Sequence, residues 1–317
     1  MKLKALSLFL IFVCGIAKAQ EFPARELRSI CNFAPGSGAD VVVRFYSDRL
    51  SKLAGRPVIV DNKPGANGTI ATGELARARA DGHTLMITPA SSTISGAPYL
   101  FRNLAFDPAK DFAAVTTIAS LSFVLAVDAS RSVKSIPELI GTLKSKPNDG
   151  FYGTSNNSGV IGAELFKARA GLKTVYAPYK TNTQALTDLL QGTLDFISYD
   201  ATWVSTQARA GRLRVLAATA GKRSVAFPEV PTLAELGYDI DFSSWWGVVV
   251  PAATPRPIVE KLATWFNQIT AEEETKTFFA RNAFEPFPGS PDQMQALMAA
   301  DGLKWKGYAA TARIEPQ

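Results

Sequence analysis

Short apolar or β-branched runs alternate with longer helix-spaced patterns along almost the whole 317-residue chain. That alternation admits few architectures, because a run too short to be a helix needs a partner strand, and a helix between two such runs returns the chain parallel to the first. Leu27 to Phe33 reads as the first strand, Ala39 to Leu53 as a helix with Val42, Val43, Tyr46, Leu50 and Leu53 at helical spacing, and Pro57 to Val60 as the second strand. A helix from Gly68 to Ala80 and a strand from Thr84 to Thr88 follow. Val115 to Ile118 and Phe123 to Val127 read as two strands nearly end to end, and Trp246 to Val250 as a late one. Pro257 to Thr270, Glu272 to Asn282 and Pro291 to Lys306 read as closing helices. The expected fold class is α/β, and at ~150 residues per domain the length suggests two lobes, each a mainly parallel sheet flanked by helices.

The first residues stand apart. Met1 to Ala19 has lysines at its start, an apolar run from Ala5 to Ile16, and Ala17-Lys18-Ala19 in the small-x-small pattern of a cleavage site. An apolar run of that length is too short for a membrane span, which needs ~20 residues. A secretory signal cleaved near Ala19 is therefore expected, and with it a periplasmic location. The formal charge of +6 includes Lys2, Lys4 and Lys18, so the remaining 298 residues carry only +3. Such a small excess does not suggest a nucleic-acid partner. Cys14 and Cys31 are the only cysteines and His83 the only histidine, which excludes a Cys₄ or Cys₂His₂ zinc site and any multi-histidine metal site. After cleavage Cys31 has no disulfide partner. It reads as a packed strand residue and His83 as a solvent-facing turn residue.

Parallel sheets bind ligands beyond the carboxyl ends of their strands. The loops there are Ala34 to Asp40, Pro89 to Ser95, Thr154 to Gly159, Lys180 to Thr183 and Asp200 to Thr202, and they are rich in Gly, Ser, Thr and Asn. These residues serve as turn and N-cap residues anywhere, but five such loops in succession favour recognition of a small anion by hydroxyls, amides and N–H groups. Gly36-Ser37-Gly38 after a strand resembles a dinucleotide fingerprint, yet Val41 stands where its third glycine belongs. No G-x-S-x-G elbow occurs to support a hydrolase.

Several segments resemble, in order, the Bug family of periplasmic solute receptors, the extracytoplasmic component of tripartite tricarboxylate transporters. Phe33-Ala34-Pro35-Gly36-Ser37-Gly38-Ala39-Asp40 is similar to the family's FxPGGxxD loop, and Val60-Asp61-Asn62-Lys63-Pro64-Gly65-Ala66-Asn67-Gly68 to its (V/I)xNxPGAGG segment. Asp81-Gly82-His83-Thr84-Leu85, Phe106-Asp107-Pro108, Val175-Tyr176-Ala177-Pro178-Tyr179-Lys180, Pro228-Glu229-Val230-Pro231-Thr232 and Trp246-Gly247 continue the resemblance.

The resemblance implies a two-lobed, type II-like periplasmic binding protein with two hinge crossings. The first lobe would comprise residues 20–119 and 246–317, and the second residues 120–245. It implies no catalytic residue, cofactor or metal. The implied partners are a small carboxylate ligand and inner-membrane transporter subunits or a sensor domain, with the receptor monomeric. The expected ligand-binding residues are Phe33, Ala34, Gly36, Ser37, Gly38, Ala39 and Asp40 in the first loop, with Ser37, Gly38 and Ala39 as N–H donors and Asp40 as an orienting cap. Further on they are Ser91, Ser92, Thr93, Ser155, Asn156, Asn157, Ser158, Lys180, Thr181, Asn182 and Asp200. Ser155 to Ser158 and Thr181-Asn182 depart from the family's glycine-rich pattern by placing side chains where it has bare backbone. Two other readings stay open: a sensor for a regulatory membrane partner, and a cleft enzyme using Lys180 or Asp200 as a base.

Overall fold

In a computed structural model, the protein is described from residue 22 to residue 316. The predicted signal segment lies outside the described residues. The first sheet starts as expected, with β1 (Leu27–Cys31), α1 (Gly38–Ala54), β2 (Val58–Asn62), α2 (Thr69–Ala76) and β3 (Thr84–Thr88). These strands are parallel, Ser29 of β1 lying opposite Val60 of β2 and Leu85 of β3. A π-turn at Ser91–Ser95 and the short α3 (Ala97–Leu100) then lead into β4 (Phe112–Asp128).

β4 is a single 17-residue strand where two strands end to end are expected. Ala119 to Ser122 lacks an apolar run, but its backbone stays paired, Ala119 opposite Trp246 and Ser122 opposite Ser243. Backbone hydrogen bonds carry the strand through a stretch whose side chains do not announce one. Register shifts between Ala114 and Thr116 and between Thr117 and Ala119 mark bulges, which bend and twist the strand. Its second half joins the second sheet.

That sheet contains β5 (Phe151–Thr154), β6 (Val175–Pro178), β7 (Phe196–Asp200) and β8 (Leu213–Ala218), with α4 (Ile136–Lys144), α5 (Asn157–Ala170), α6 (Asn182–Leu190) and α7 (Ala201–Arg209) between them. β9 (Ser243–Pro251) returns the chain to the first sheet, followed by α8 (Arg256–Ala271), α9 (Glu273–Arg281), the two-residue β10 (Glu285–Pro286) and α10 (Pro291–Thr311). The strand order is β2-β1-β3-β9-β4-β7-β5-β6, with β8 and β10 also on β4. The sheet is mixed, because both crossing strands run antiparallel to their neighbours: β9 to β3, and β4 to β9, β7 and β8.

Helices cover both faces, so the strands are apolar on both. In β9, Val248 packs with Tyr46, Leu50 and Phe266 on one face, while Val249 packs with Leu75 and Met294 on the other. In the second sheet Leu125, Tyr152 and Phe166 share one cluster and Val124, Ile197 and Tyr199 another. α10 spans the two: Met294 and Met298 sit under the first sheet and Trp305 in the second sheet's cluster.

Cys31 is fully buried in β1, as a packed strand residue should be. The expectation for His83 is corrected, since it is 7% exposed. The segment before β1 covers it: Phe22 meets its ring edge-on at 5.1 Å and Ala24 N–H donates to Nε2 at 3.2 Å. Nδ1 is then left to donate to the Asp81 carbonyl at 3.1 Å. An Asp-Gly turn reads as exposed only until a distant segment lies over it.

Candidate functional site

The turns at the carboxyl ends of the strands converge on a cleft of about 850 Å³ between the two sheets. The turn after β1 contributes Asn32, Phe33 and Ala34, the turn after β2 Gly65, Ala66 and Gly68, and the turn after β3 Pro89, Ser92 and Thr93. From the second sheet come Ser155 to Ser158 after β5, Pro178 and Tyr179 at the end of β6, and Asp200 at the end of β7. Leu121 and Phe123 of β4 and Ser244 and Trp246 of β9 form part of the wall where the chain crosses between sheets.

Of the residues expected at the ligand, Phe33, Ala34, Ser92, Thr93, Ser155, Asn156, Asn157, Ser158 and Asp200 are brought together on this cleft. Gly36, Ser37, Gly38, Ala39, Asp40, Ser91, Lys180, Thr181 and Asn182 do not line it. Part of the first loop closes on itself. Gly36 N–H donates to Asp40 Oδ2 at 2.8 Å, Ser37 N–H to the Ala34 carbonyl at 3.2 Å, and Asp40 N–H to Ser37 Oγ at 3.2 Å. Ser37 is thus the N-cap of α1 and Asp40 the acid in its first turn, while the Gly38 and Ala39 N–H groups have no intrahelical acceptor and lie off the cleft.

Asp40 is buried, and its burial would push the carboxyl up. The Arg44 guanidinium, the Asn62 amide and the Gly36 N–H outweigh that and hold it at about 2. Its folded value lies below the unfolded one, so its contribution to stability is present above about pH 4 and is lost as pH falls through about 2. The melting-temperature gap between wild type and Asp40→Asn should therefore be largest near neutrality and narrow steadily from pH 4 to pH 2. A gap independent of pH would show that Asp40 is not held ionised.

Gly38 is the first residue of α1, where a missing N–H costs nothing, and Ser37 before it is already extended at φ −69° and ψ 158°. A Cβ at Gly38 would meet nothing within 4 Å. Gly38→Pro is expected to leave the fold intact, shift stability by less than about 1 kcal/mol and keep ligand affinity unchanged. A calorimetric titration showing lost binding would return the Gly38 donor to the ligand.

The remaining absentees act behind the surface. Ser91 is fully buried and accepts from Trp305 Nε1 at 3.1 Å. Thr181 caps α6 by accepting from Gln184 N–H at 3.3 Å, and Asn182 Oδ1 accepts from Ser155 Oγ at 2.6 Å, so both shape the cleft from outside it. Lys180 is exposed.

On the cleft itself, Asn156 caps α5 by accepting from Gly159 N–H at 2.8 Å. The Asn157 and Ser158 N–H groups at the start of that helix have no intrahelical acceptor. Asp200 caps α7, accepting from Trp203 N–H at 2.9 Å, and burial pushes its carboxyl above the usual range. Apart from Phe33, the aromatic wall is what sequence reasoning missed. Phe33 stacks on Trp246 at 5.7 Å, and Phe101, Phe123, Tyr176 and Tyr179 join them on the cleft. Their apolar character reads as core. The usable signal is position, since Phe123 and Trp246 lie close to the two crossings. Gly65 to Gly68 was more accessible, being a glycine-rich strand-end turn like the five singled out.

Two sheets joined by crossing strands, with strand-end turns from both facing one cleft, define a solute-binding protein of the periplasmic type. The chain belongs to the tripartite tricarboxylate transporter family receptors, whose family description matches residues 42–311. A UPF0065 protein of Bordetella bronchiseptica is 32% identical over 95% of this chain and 89% of its own length. Protein BugT of Bordetella pertussis is 30% identical over 94% and 93%. Among solved structures, R. palustris Rpa4515 with adipate is 31% identical with a TM-score of 0.81, covering 94% of this chain and all of that one. The periplasmic binding protein BugD is 25% identical with a TM-score of 0.77, covering 93% of this chain and all of that one. The family's proteins are periplasmic receptors, and no described helix is long and apolar enough to cross a membrane.

Proposed function

We propose that the cleft captures a small carboxylate in the periplasm and presents it to the membrane subunits of a tripartite transporter. The observation that carries this reading is the α5 start: Asn157 and Ser158, whose N–H groups open a 14-residue helix without an intrahelical acceptor, line a cleft of hydroxyls and amides, an arrangement suited to an anion. The relative solved with adipate supports the ligand class. The protein acts as a monomer, with its signal removed near Ala19. Residues 22–119 and 246–316 form one lobe and 120–245 the other, turning about the crossings in β4 and β9.

Binding without turnover is the reading for the cleft. Lys180, the base an enzyme would recruit, is exposed and off the cleft, and Asp200 is engaged as a helix cap. A carboxylate that binds only the folded state should raise its stability by about 2.7 kcal/mol at a hundredfold excess over Kd. A thermal-shift screen of mono- and dicarboxylates tests this, with small-angle scattering to detect closure. A midpoint moved by a neutral sugar and by no carboxylate would defeat the assignment.

A further inference from the structure

The charges on the cleft narrow the ligand further, given the carboxylate reading. Among the described residues that line it there is no lysine, arginine or histidine. The phenols of Tyr176 and Tyr179 are pushed up by burial, which keeps them neutral. Asp200 is therefore the one carboxyl among the lining side chains, and burial raises it above the usual range.

No described lysine, arginine or histidine pairs with Asp200; its protein donors are backbone N–H groups at the start of α7, Trp203 N–H at 2.9 Å among them. A half-buried acid without a cationic partner is costly unless a donor meets it. Asp200 also occupies the N-terminus of α7, a place where a second ligand carboxylate would otherwise be welcome. A dianion would thus meet one helix start prepared for it at α5 and another already filled by the protein's own carboxylate.

Aromatic rings border the same cleft. Phe33 and Trp246 stack at 5.7 Å and an interplanar angle of 25°, and Phe101 and Phe123 also border the cleft. Aromatic faces favour a planar partner, offset-stacked or edge-on, over a flexible chain that must be ordered on binding.

We infer that the ligand is an aromatic monocarboxylate bearing a hydrogen-bond donor, an ammonium or a hydroxyl, with its carboxylate at the α5 start, its ring among Phe33, Phe123 and Trp246, and its donor on Asp200. No group is transferred; the claim concerns recognition alone. It makes Asp200 a specificity determinant that selects against a second carboxylate.

A matched series tests it by calorimetric titration of the wild-type protein: 4-hydroxybenzoate, 4-(aminomethyl)benzoate, benzoate, terephthalate and adipate. The two donor-bearing acids should bind at least about tenfold tighter than benzoate, the lower end of the effect of one charge-assisted hydrogen bond. Terephthalate, which puts a second carboxylate on the same ring, and adipate should be weakest. Asp200→Asn keeps a good helix cap while removing the charge, so it should narrow the gap between 4-(aminomethyl)benzoate and terephthalate. If adipate or terephthalate binds tighter than both donor-bearing acids, the inference is overturned while the carboxylate function stands. If none of the five acids binds, the inference falls, and the broader carboxylate screen then decides whether that function falls with it. The wild-type series decides the ranking even if Asp200→Asn does not fold.

Discussion

Trp305→Ala should destabilise the protein by about 3–5 kcal/mol, the range for deleting a large buried aromatic, and should weaken ligand binding although Trp305 does not line the cleft. Trp305 is fully buried near the end of α10 and meets Phe242 edge-on at 6.3 Å. Its Nε1 donates to Ser91 Oγ at 3.1 Å, and the ring lies so close to Gly96 that a Cβ there would come within 2.6 Å of it. Ser91 and Gly96 bracket the π-turn that carries Ser92 and Thr93 to the cleft. Removing the ring leaves a cavity, takes away a donor to the Ser91 hydroxyl and frees the turn to shift. Trp305→Phe keeps much of the packing but loses the N–H, so it should fall between. Urea denaturation and titration of the three proteins check this. A loss under about 1 kcal/mol for the alanine variant would mean that the turn is held by other contacts.

Gly159→Ala is expected to cost about 1–3 kcal/mol and at least tenfold in affinity, a large effect for one methyl group. Gly159 lies in the first turn of α5, where the helix rests on the ends of β5 and β7. An added Cβ would stand 2.1 Å from Thr154 Oγ1 and 2.5 Å from the Ser198 carbonyl oxygen, and the latter is sheet backbone that cannot swing aside. The helix start must lift, taking the Asn157 and Ser158 N–H groups with it. Gly141→Ala, in α4 with nothing within 4 Å of the new methyl, is the control and should stabilise by about 0.5–1 kcal/mol. Unchanged binding in Gly159→Ala would separate the α5 start from the ligand.

Most strands and helices were legible because each shows its own period within a window of a dozen residues. β3 (Thr84–Thr88) matches its expected limits to the residue. The rule that ligands sit beyond strand ends also found most of the turns that meet at the cleft, since it needs only the strands and their direction. Failures came where polarity was read as proximity to the ligand. Gly36 to Asp40 has the residue types of an anion turn, yet none of these residues lines the cleft and Gly36 and Ser37 bond within the loop, and Ser91 is turned inward to Trp305.

By itself the sequence determined the alternation of strands and helices and the family resemblance, which rest on residues close together in the chain or on motifs in order. Only the tertiary structure decided that β4 runs unbroken between the sheets, that the crossing strands are antiparallel, that His83 is covered by Phe22, and that Phe123 and Trp246 face a cleft rather than a core. The physical reason is that a residue's period and capping hydrogen bonds are settled within a turn or two of backbone. The direction in which a helix start or an aromatic ring points is settled by packing against segments far along the chain, as Phe33 is by Trp246.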